Sequence, residues 1–322
     1  MKATAKAPAN IAFIKYWGKR NESLRIPMNS SISMNLSEVF TTTSVEFSKE
    51  YIDDALVING NTVDGKEKER VSEFLDRIRK ISKVKLNAKV VSKNNFPKGT
   101  GMASSASGFA ALTLATTKAL GLNLSEKELS ILARLGSGSA CRSIPDGIVE
   151  WKSGKQSNFS YAYSLYPPDY WDIQDVILII GEKDKKISST EGHALVESSP
   201  FYKSRIAKMD TKIRDIKKAL KEKDFTKFGQ IIEEEAVNMH AVMMTSKPGL
   251  FYWLPETLKF MLLVQNWRDN GVESYFTIDA GPNIHIICEG KSVNKLMKKI
   301  KELKGIKNAI VNKPSIGARL ID

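Results

Sequence analysis

The sequence predicts an α+β protein with two domains, on three observations. The chain has 322 residues, which is more than one small hydrophobic core can organise and is enough for two domains of ordinary size. Residues 29–36 and 42–47 alternate apolar and polar side chains with a period of two, which is typical of strands. The second half gives one strand, three helices, two strands, a helix and closing strands, an order that favours an antiparallel sheet with helices packed on it. We place a connection at residues 166–170 and predict domains 1–172 and 173–322.

The element boundaries follow from turn and capping residues. Asn59-Gly60 supplies a hairpin turn, Gly121 a helix C-cap, and Ser125 with Glu128 a capping box. In the first domain we predict strands at residues 29–36, 42–47, 84–90, 148–152 and 157–163, a hairpin over residues 56–62, and helices at 66–81, 109–120 and 126–135. In the second domain we predict strands at 176–180, 275–279, 284–289 and 309–321, and helices at 206–220, 225–244, 255–267 and 293–303.

The composition is that of a soluble globular chain, with 42% hydrophobic and 26% charged residues. No apolar run is long enough to span a bilayer, and residues 1–8 lack the apolar core of a secretion signal. The two cysteines, Cys141 and Cys288, are too few for a disulfide framework or a cysteine metal cluster. We therefore expect a cytoplasmic protein without a membrane partner.

The formal net charge of +13 is compatible with nucleic acid or with an anionic small molecule as a partner. The lysines are spread along predicted helices, for example at residues 203–223 and 291–304. No basic block is interleaved with aromatic residues as in an RNA-binding motif. We interpret most of these lysines as solvated and expect no nucleic-acid partner. A basic nucleic-acid-binding protein is the alternative from another functional class.

Two Gly/Ser-rich segments predict an anion-binding site. Residues 96–108 (FPKGTGMASSASG) lead into an Ala/Leu-rich helix. Unpaired N–H groups and the helix dipole favour an anion at such a junction, and small side chains let it approach. An ordinary loop with a serine cap is an equal alternative for this segment alone. Residues 136–143 (GSGSACRS) repeat the pattern and end in Arg142, whose guanidinium can bind two phosphate or carboxylate oxygens at once.

Several cations and one carboxylate complete the candidate site. Lys15, Lys19 and Arg70 accompany the two segments, and Asp279 lies at the tip of a turn after a predicted strand. The three histidines have no metal-binding spacing, and His285 is interpreted as a core residue. No Gly-x-Ser-x-Gly elbow is present. Cations around one carboxylate suit phosphoryl transfer, in which positioning and charge neutralisation supply most of the catalysis.

Five motifs, in order along nearly the whole chain, resemble the diphosphomevalonate decarboxylase family of the GHMP kinase superfamily. They are residues 7–20 (APANIAFIKYWGKR), 101–108 (GMASSASG), 136–143 (GSGSACRS), 188–190 (SST) and 277–283 (TIDAGPN). The resemblance implies a GHMP kinase fold, with an N-terminal domain like ribosomal S5 domain 2, a ferredoxin-like C-terminal α/β domain and the active site between them.

The resemblance also implies a reaction that requires ATP and Mg²⁺. The 3-hydroxyl of mevalonate 5-diphosphate is phosphorylated, and phosphate and CO₂ then leave to give isopentenyl diphosphate, in the mevalonate pathway of isoprenoid biosynthesis. By family habit the protein is expected to be a homodimer.

Roles follow from the resemblance residue by residue. Asp279 would orient or deprotonate the 3-hydroxyl, Lys15 would neutralise charge near the transferring phosphoryl group, and Arg142 would bind the substrate carboxylate. The residues that match substrate-contacting positions are Tyr16, Trp17, Gly18, Lys19, Arg70, Ser137, Gly138, Ser139, Ser189 and Thr190. Those assigned to ATP are Ser92, Asn94, Gly99, Gly101, Ser104, Ser105 and Ser107, with Ser105 also assigned to the metal.

Two neighbouring activities stay open, a phosphomevalonate decarboxylase and a mevalonate 3-kinase. Residues 145–151 and 245–249 differ from the patterns usual in the family, and related enzymes act on mevalonate monophosphate or only phosphorylate mevalonate. The 3-kinases tend to lose the first-motif lysine. Lys15 is present, which favours full decarboxylation.

Overall fold

The computed structural model describes residues 1–96, 104–181 and 188–321. The strands are β1 (Lys2–Ile14), β2 (Lys19–Asn21), β3 (Ile26–Pro27), β4 (Ser31–Ser48), β5 (Ala55–Ile58), β6 (Asn61–Thr62), β7 (Asn87–Asn94), β8 (Ile148–Trp151), β9 (Ala162–Tyr166), β10 (Ile173–Ile179), β11 (Tyr275–Thr277), β12 (Ile284–Glu289), β13 (Asn308–Asn312) and β14 (Arg319–Ile321). The α-helices are α1 (Lys66–Ser82), α2 (Ser104–Ala119), α3 (Glu126–Gly136), α4 (Ser189–Ala194), α5 (Tyr202–Glu222), α6 (Phe225–Thr245), α7 (Pro255–Asp269) and α8 (Gly290–Lys301). Short 3-10 helices lie at Gly138–Ser143, Ser157–Phe159 and Val196–Ser198.

The first sheet is organised around the long strand β4. Its strand order is β14-β1-β4-β7-β5-β6, and β8 and β9 extend the sheet from the first residues of β4. All pairs are antiparallel except β5 with β7. The prediction of two separate strands at 29–36 and 42–47 was wrong, because β4 runs through both. Most of its 18 residues pair with β1, and residues 36–38, which lie between the two stretches of that pairing, bond residues 312–314 instead, so the strand continues without a break.

The second sheet has the order β11-β12-β10-β13 and is antiparallel throughout. Alternate side chains of β10 point to opposite faces. Ile177 joins a core formed with α5 and α6, and Val176 joins a core formed with α7 and α8. The predicted α+β class is confirmed. The element order of the second half is as predicted except that the short helix α4, which was not predicted, precedes the three predicted helices. The chain then returns, and β14 pairs with β1 in the first sheet. The division at residue 172 stays a prediction.

A second local prediction, the strand at 157–163, was wrong in part. Residues Ser157–Phe159 form a 3-10 turn, and the strand begins only at Ala162. Serine and asparagine at 157 and 158 favour turns because their side chains compete for nearby backbone groups. By contrast, the hairpin turn is confirmed, since Asn59 and Gly60 have φ angles of 51° and 85°.

The pairing of β1 with β4 is irregular near Asn10, a residue that contacts the 3-10 helix Gly138–Ser143. The pairing with β4 shifts between Pro8 and Asn10. Before the shift, Ala7 packs in the core with α1 and α2, whereas after it Ile11 packs in the core with α5 and α6. The odd-numbered residues from Ala5 to Phe13 belong to these cores on both sides of the shift, and the extra residues of the bulge lie in β4. Asn10 donates to Ser143 Oγ of the 3-10 helix Gly138–Ser143 at 2.8 Å.

The helices do not suggest insertion into a bilayer. Among those of the described residues, none combines the length and the apolarity that a membrane crossing requires.

Candidate active site

A cavity of about 520 Å³ lies where the end of β1 meets the starts of α2 and α4 and the turn after β11. Most residues predicted for the site line it. These are Lys15, Tyr16, Trp17, Lys19, Arg70, Ser104, Ser105, Ser137, Gly138, Ser139, Arg142, Ser189, Thr190 and Asp279. Segments far apart in the sequence therefore converge on one space, as the motif interpretation predicted.

Other predicted residues lie away from the cavity wall. Ser92 Oγ is 2.5 Å from Thr43 Oγ1, and Asn94 and Ser107 both hydrogen-bond Thr41 Oγ1 at 2.7 Å. These side chains join β4, β7 and α2 to one another, and their assignment to ATP stays a prediction. Gly99 and Gly101, also assigned to ATP, lie outside the described residues.

Gly18 lies directly behind the wall. Its backbone φ is 103°, a value that residues other than glycine rarely adopt. A Cβ at this position would lie 2.1 Å from the Tyr202 hydroxyl. Glycine at 138 has a comparable reason, because a Cβ there would meet the Tyr16 ring at 2.6 Å.

A buried ion pair joins the end of β1 to the turn after β11. Lys15 Nζ lies 2.7 Å from Asp279 Oδ1, and the lysine side chain is only 1% exposed. Burial lowers the pKa of Lys15, and the charge of Asp279 opposes that effect. Burial alone would raise the pKa of Asp279, but the charge and hydrogen bond of Lys15, with the charges of His285 and Arg142, hold that pKa below its usual value. The carboxylate is therefore ionised at neutral pH.

Helix α6 holds both partners of this ion pair through their backbones. Glu235 Oε1 accepts from the Lys15 backbone N–H at 3.4 Å. Five residues along the helix, His240 Nε2 lies 3.2 Å from the carbonyl oxygen of Asp279. A carbonyl can only accept, so Nε2 carries the proton. Burial lowers the pKa of His240 to about 3, and this imidazole is neutral at physiological pH.

A buried charge network supports the same arrangement from α5. Arg205 pairs with Glu235 and donates from Nη2 to the Lys15 carbonyl at 3.1 Å. Lys212 Nζ lies 3.1 Å from the second carboxylate oxygen of Glu235. Glu235 is fully buried, so its two cations are needed to offset the cost of removing the carboxylate from water.

Arg142 is buried without an acidic partner among the described residues. Its Nη1 donates to Ser31 Oγ at 2.7 Å and its Nε donates to Ser33 Oγ at 3.1 Å. Its Nη2 donates to Asn10 Oδ1 at 3.2 Å. Asn10 is itself held by Ser139 and Ser143. These neutral oxygens fix the orientation of the guanidinium, and the charge of Asp279 acts on it without forming an ion pair. A cation held in this way favours an anionic ligand.

Three rings form a stack at another part of the wall. His193 lies between Tyr16 and Trp17, with centroid distances of 4.2 and 4.4 Å. The backbone N–H of Gly18 donates to His193 Nδ1 at 2.8 Å, which places the proton of the neutral ring on Nε2. Burial, with the charges of Lys19, Arg25 and Arg205, holds the pKa of His193 well below its usual value.

Serine hydroxyls line the wall near the start of α2. Ser104 and Ser105 begin this 16-residue helix, and Ser105 Oγ lies 3.2 Å from Ser137 Oγ. The positive end of the helix dipole therefore faces the cavity. Within the described ranges, no group of three His, Cys, Asp or Glu side chains is placed to hold a metal ion. Ser189 and Thr190 line the wall from the first turn of α4.

The supporting residues Glu235, Arg205 and His240 were not predicted. A signal for Glu235 existed, because it interrupts an apolar stripe of α6 that includes Ile232 and Met239. A carboxylate on such a face needs a buried partner. Its charged partners, Arg205 and Lys212, lie on another helix, and the Lys15 backbone N–H that it also accepts from lies 220 residues away, so these contacts are not visible in the sequence. The interpretation of His285 as a core residue is confirmed, since its Nδ1 lies 2.9 Å from Asp175 Oδ2 and both side chains are buried.

Comparisons with known proteins agree with this site. One family model, the diphosphomevalonate decarboxylase-like N-terminal domain, matches residues 7–162, and another, the mevalonate 5-diphosphate decarboxylase C-terminal domain, matches residues 175–315. A diphosphomevalonate decarboxylase from Debaryomyces hansenii is 36% identical over 316 residues, which cover 92% of this chain and 81% of that protein.

Two solved structures extend the likeness to the whole chain. The crystal structure of mevalonate diphosphate decarboxylase from Staphylococcus aureus has a TM-score of 0.95 at 38% identity, over 100% of this chain and 98% of that one. The structure of MDDEF in complex with MVAPP, AMPPCP and magnesium has a TM-score of 0.94 at 38% identity, over 100% and 99% of the two chains.

Proposed function

The chain belongs to the diphosphomevalonate decarboxylase family, and we propose that it converts mevalonate 5-diphosphate to isopentenyl diphosphate with ATP. The predicted GHMP-type fold is confirmed by the likeness to the solved decarboxylases over the whole chain. The observation that carries the proposal is the Lys15–Asp279 ion pair at the wall of a cavity that is also lined by Lys19, Arg25, Arg70 and Arg142. An ionised carboxylate beside a fixed ammonium suits the transfer of a phosphoryl group to a hydroxyl.

The first step would use the ion pair. Asp279 accepts the hydrogen bond of the substrate 3-hydroxyl and takes its proton as the oxygen bonds to the γ-phosphorus of ATP and ADP leaves. Lys15 offsets the charge on the transferring group. Glu235 and His240 hold the backbones of this pair, so the two charged groups need no rearrangement during transfer.

The second step would use Arg142. Its remaining N–H groups bind the substrate carboxylate, whose orientation is set because Ser31, Ser33 and Asn10 hold the guanidinium. The 3-phosphate then leaves, the bond from the carboxylate carbon to its neighbour breaks, and those electrons form the new double bond while CO₂ departs. Because Arg142 forms no ion pair among the described residues, its remaining N–H groups are available to the substrate in the ground state.

The donor groups near α2 fit an Mg²⁺ ion bound mainly through phosphates and water. A hydroxyl such as that of Ser105, at the positive end of α2, is a suitable single protein ligand, and a cage of carboxylates is not required. When bound, the ion neutralises charge on the ATP phosphates. The complex of MDDEF with AMPPCP and magnesium supports this part of the proposal.

The neighbouring activities are less well supported. Residues 145–151 and 245–249, which differ from the usual family patterns, do not contribute to the cavity wall among the described residues. The ion pair of Lys15 also favours decarboxylation over 3-phosphorylation alone. A nucleic-acid-binding role would leave this ion pair and the cation-lined cavity unexplained.

The test is release of ADP and CO₂ with ATP and Mg²⁺, measured separately on mevalonate, its 5-phosphate and its 5-diphosphate. We expect both products from the diphosphate alone. CO₂ from the monophosphate would assign the protein to phosphomevalonate decarboxylation, and ADP without CO₂ would make it a kinase and overturn the role of Arg142.

A cytoplasmic location and a homodimer are part of the same proposal. Cys141 and Cys288 are both buried free thiols, which suits a reducing compartment. Phe251, Leu254, Leu258 and Leu262 are exposed in and just before α7, and a subunit contact would remove such side chains from water. Light scattering on the purified chain measures the oligomeric state directly.

A further inference from the structure

Two arginines are held against the C-terminal end of α3 at the cavity wall. Arg25 donates from Nε to the Leu135 carbonyl at 3.0 Å, and Arg70 donates from Nη2 to the Gly136 carbonyl at 2.7 Å. Both line the cavity. The last carbonyl groups of a helix lack helical partners and carry the negative end of its dipole, so they accept such cations readily.

Neither arginine has an acidic partner within the described chain, where no ion pair is formed by Arg25 or Arg70. Glu22, three residues before Arg25, pairs instead with Lys19 Nζ at 2.5 Å. Arg70 Nε is buried without a hydrogen-bond partner. Burial lowers the pKa of Arg70 to about 10, and the charge of Arg25 adds to this shift. The two positive charges are thus close together, and Arg70 also lies 4.6 Å from the centroid of the Phe109 ring. The charge of Glu67 opposes the shift of the Arg70 pKa without forming an ion pair with Arg70.

The backbone of Arg25 is held in a conformation that its side chain does not favour. Its φ is 50°, in the left-handed region where residues other than glycine and asparagine are uncommon. The turn is closed by a hydrogen bond from Arg25 N to Glu22 O at 3.2 Å, within the ribbon of β2 and β3. Strain of this kind tends to occur at ligand-binding sites, where the structure around it keeps the residue in place.

We propose that Arg25 binds the phosphate end of the substrate together with Arg70 and makes the site selective for a diphosphate over a monophosphate. This inference rests on the proposed function. The Nε of Arg25 donates to the Leu135 carbonyl, which leaves the four N–H groups of the two Nη nitrogens for phosphate oxygens. A guanidinium binds phosphate through two such bonds at once. The second phosphate brings extra negative charge, which two arginines without an ion pair accommodate better than one.

The experiment compares Arg25→Gln with Arg20→Gln. Arg20 is a matched control because it lies in the same ribbon, is exposed and is absent from the cavity wall, and its substitution changes the net charge equally. Binding of mevalonate 5-diphosphate and of mevalonate 5-phosphate to the full chain is measured by calorimetry without ATP. We expect Arg25→Gln to weaken diphosphate binding about 10- to 100-fold and monophosphate binding less than about 3-fold. Arg20→Gln is expected to change neither affinity.

Two further variants separate the ligand contact from folding. Arg25→Gly removes the side chain and relieves the left-handed backbone, so it is expected to fold well and to bind the diphosphate as weakly as Arg25→Gln. Arg25→Lys keeps the charge and loses the paired hydrogen bonds, and an intermediate affinity is expected.

Several outcomes would overturn the inference. These are equal losses for both ligands, a loss no greater than that of Arg20→Gln, or unchanged diphosphate affinity in Arg25→Gly. A wild-type chain that binds neither ligand also overturns it. The proposed function fails separately, because a chain that binds the diphosphate with the expected dependence on Arg25 but releases no CO₂ contradicts only that function.

Discussion

The cavity holds its positive charges in two different ways. At Lys15 the charge meets Asp279, and Glu235 and Arg205 hold the lysine backbone from behind. At Arg25 and Arg70 the charges meet carbonyl oxygens at the end of α3, and Arg70 also lies over the Phe109 ring. In the proposed mechanism the first region needs its own carboxylate to accept a hydroxyl proton. The second region forms no ion pair among the described residues, and the proposed ligand brings the negative charge there. The comparison indicates that a cation is paired with a protein carboxylate where the proposed chemistry needs a base, and is left without an ion pair where the proposed substrate is anionic.

The largest expected effect comes from removing the carboxylate of the first region. Asp279→Asn keeps the size of the side chain but cannot accept a proton, so we expect product formation to fall by about 10³-fold or more. ATP binding, measured by calorimetry, should change little. Turnover within about 10-fold of the wild-type value would show that Asp279 is not the group that handles the hydroxyl proton.

Breaking the support behind Lys15 tests whether the first region depends on its charge network. Glu235→Gln leaves Arg205 and Lys212 buried with a neutral partner, and we expect the free energy of unfolding to fall by about 3–5 kcal/mol. Urea unfolding measures this change.

A matched control is available one residue earlier on the same helix. Glu234 lies 3.0 Å from Lys212 Nζ, and its side chain is 63% exposed. Glu234→Gln should therefore cost less than about 1 kcal/mol. Equal losses in the two variants would show that the network behind Lys15 contributes little to stability.

The neutral His240 behind Asp279 predicts a pH dependence of stability. Its pKa is about 3 in the folded chain, whereas an unfolded histidine titrates near 6.5. Below that pH the unfolded chain binds the extra proton and the folded chain does not, so stability is full above pH 6.5 and falls by about 1.4 kcal/mol per pH unit beneath it.

The variant His240→Gln isolates this contribution, because glutamine can still donate to the Asp279 carbonyl but does not titrate. Between pH 7.5 and pH 5 we expect the wild type to lose about 2 kcal/mol more unfolding free energy than the variant. Parallel pH profiles of the wild type and the variant would mean that His240 takes up its proton at the same pH in the folded chain as in the unfolded chain.

The smallest effects distinguish two serines of one helix. Ser105 lines the cavity, whereas Ser107 is buried and hydrogen-bonds Thr41. We expect Ser105→Ala to raise the KM for ATP by about 10-fold with unchanged stability. Ser107→Ala should lower the free energy of unfolding by about 1 kcal/mol with unchanged KM. The reverse pattern would place the nucleotide on the other side of α2.

Local elements were predictable because their causes are local. Helix α3 begins at the capping box of Ser125 and Glu128, and the hairpin turns at Asn59-Gly60, as their side-chain chemistry requires. The main error arose where distant segments decide. Strand β4 continues between its two stretches of pairing with β1 because residues 312–314 bond residues 36–38 there, which no local pattern announces.

The sequence by itself determined which residue types meet at the site, since its motifs include Lys15, Arg142, Asp279 and the serine segments that line the cavity. Only the tertiary structure decided which charges are compensated. Lys15 and Asp279 are 264 residues apart, and their contact depends on β1, α6 and the turn after β11 packing together. The sequence contains both ions but not the distance between them, and at short range in a buried site that distance sets the strength of their interaction and the pKa of each group.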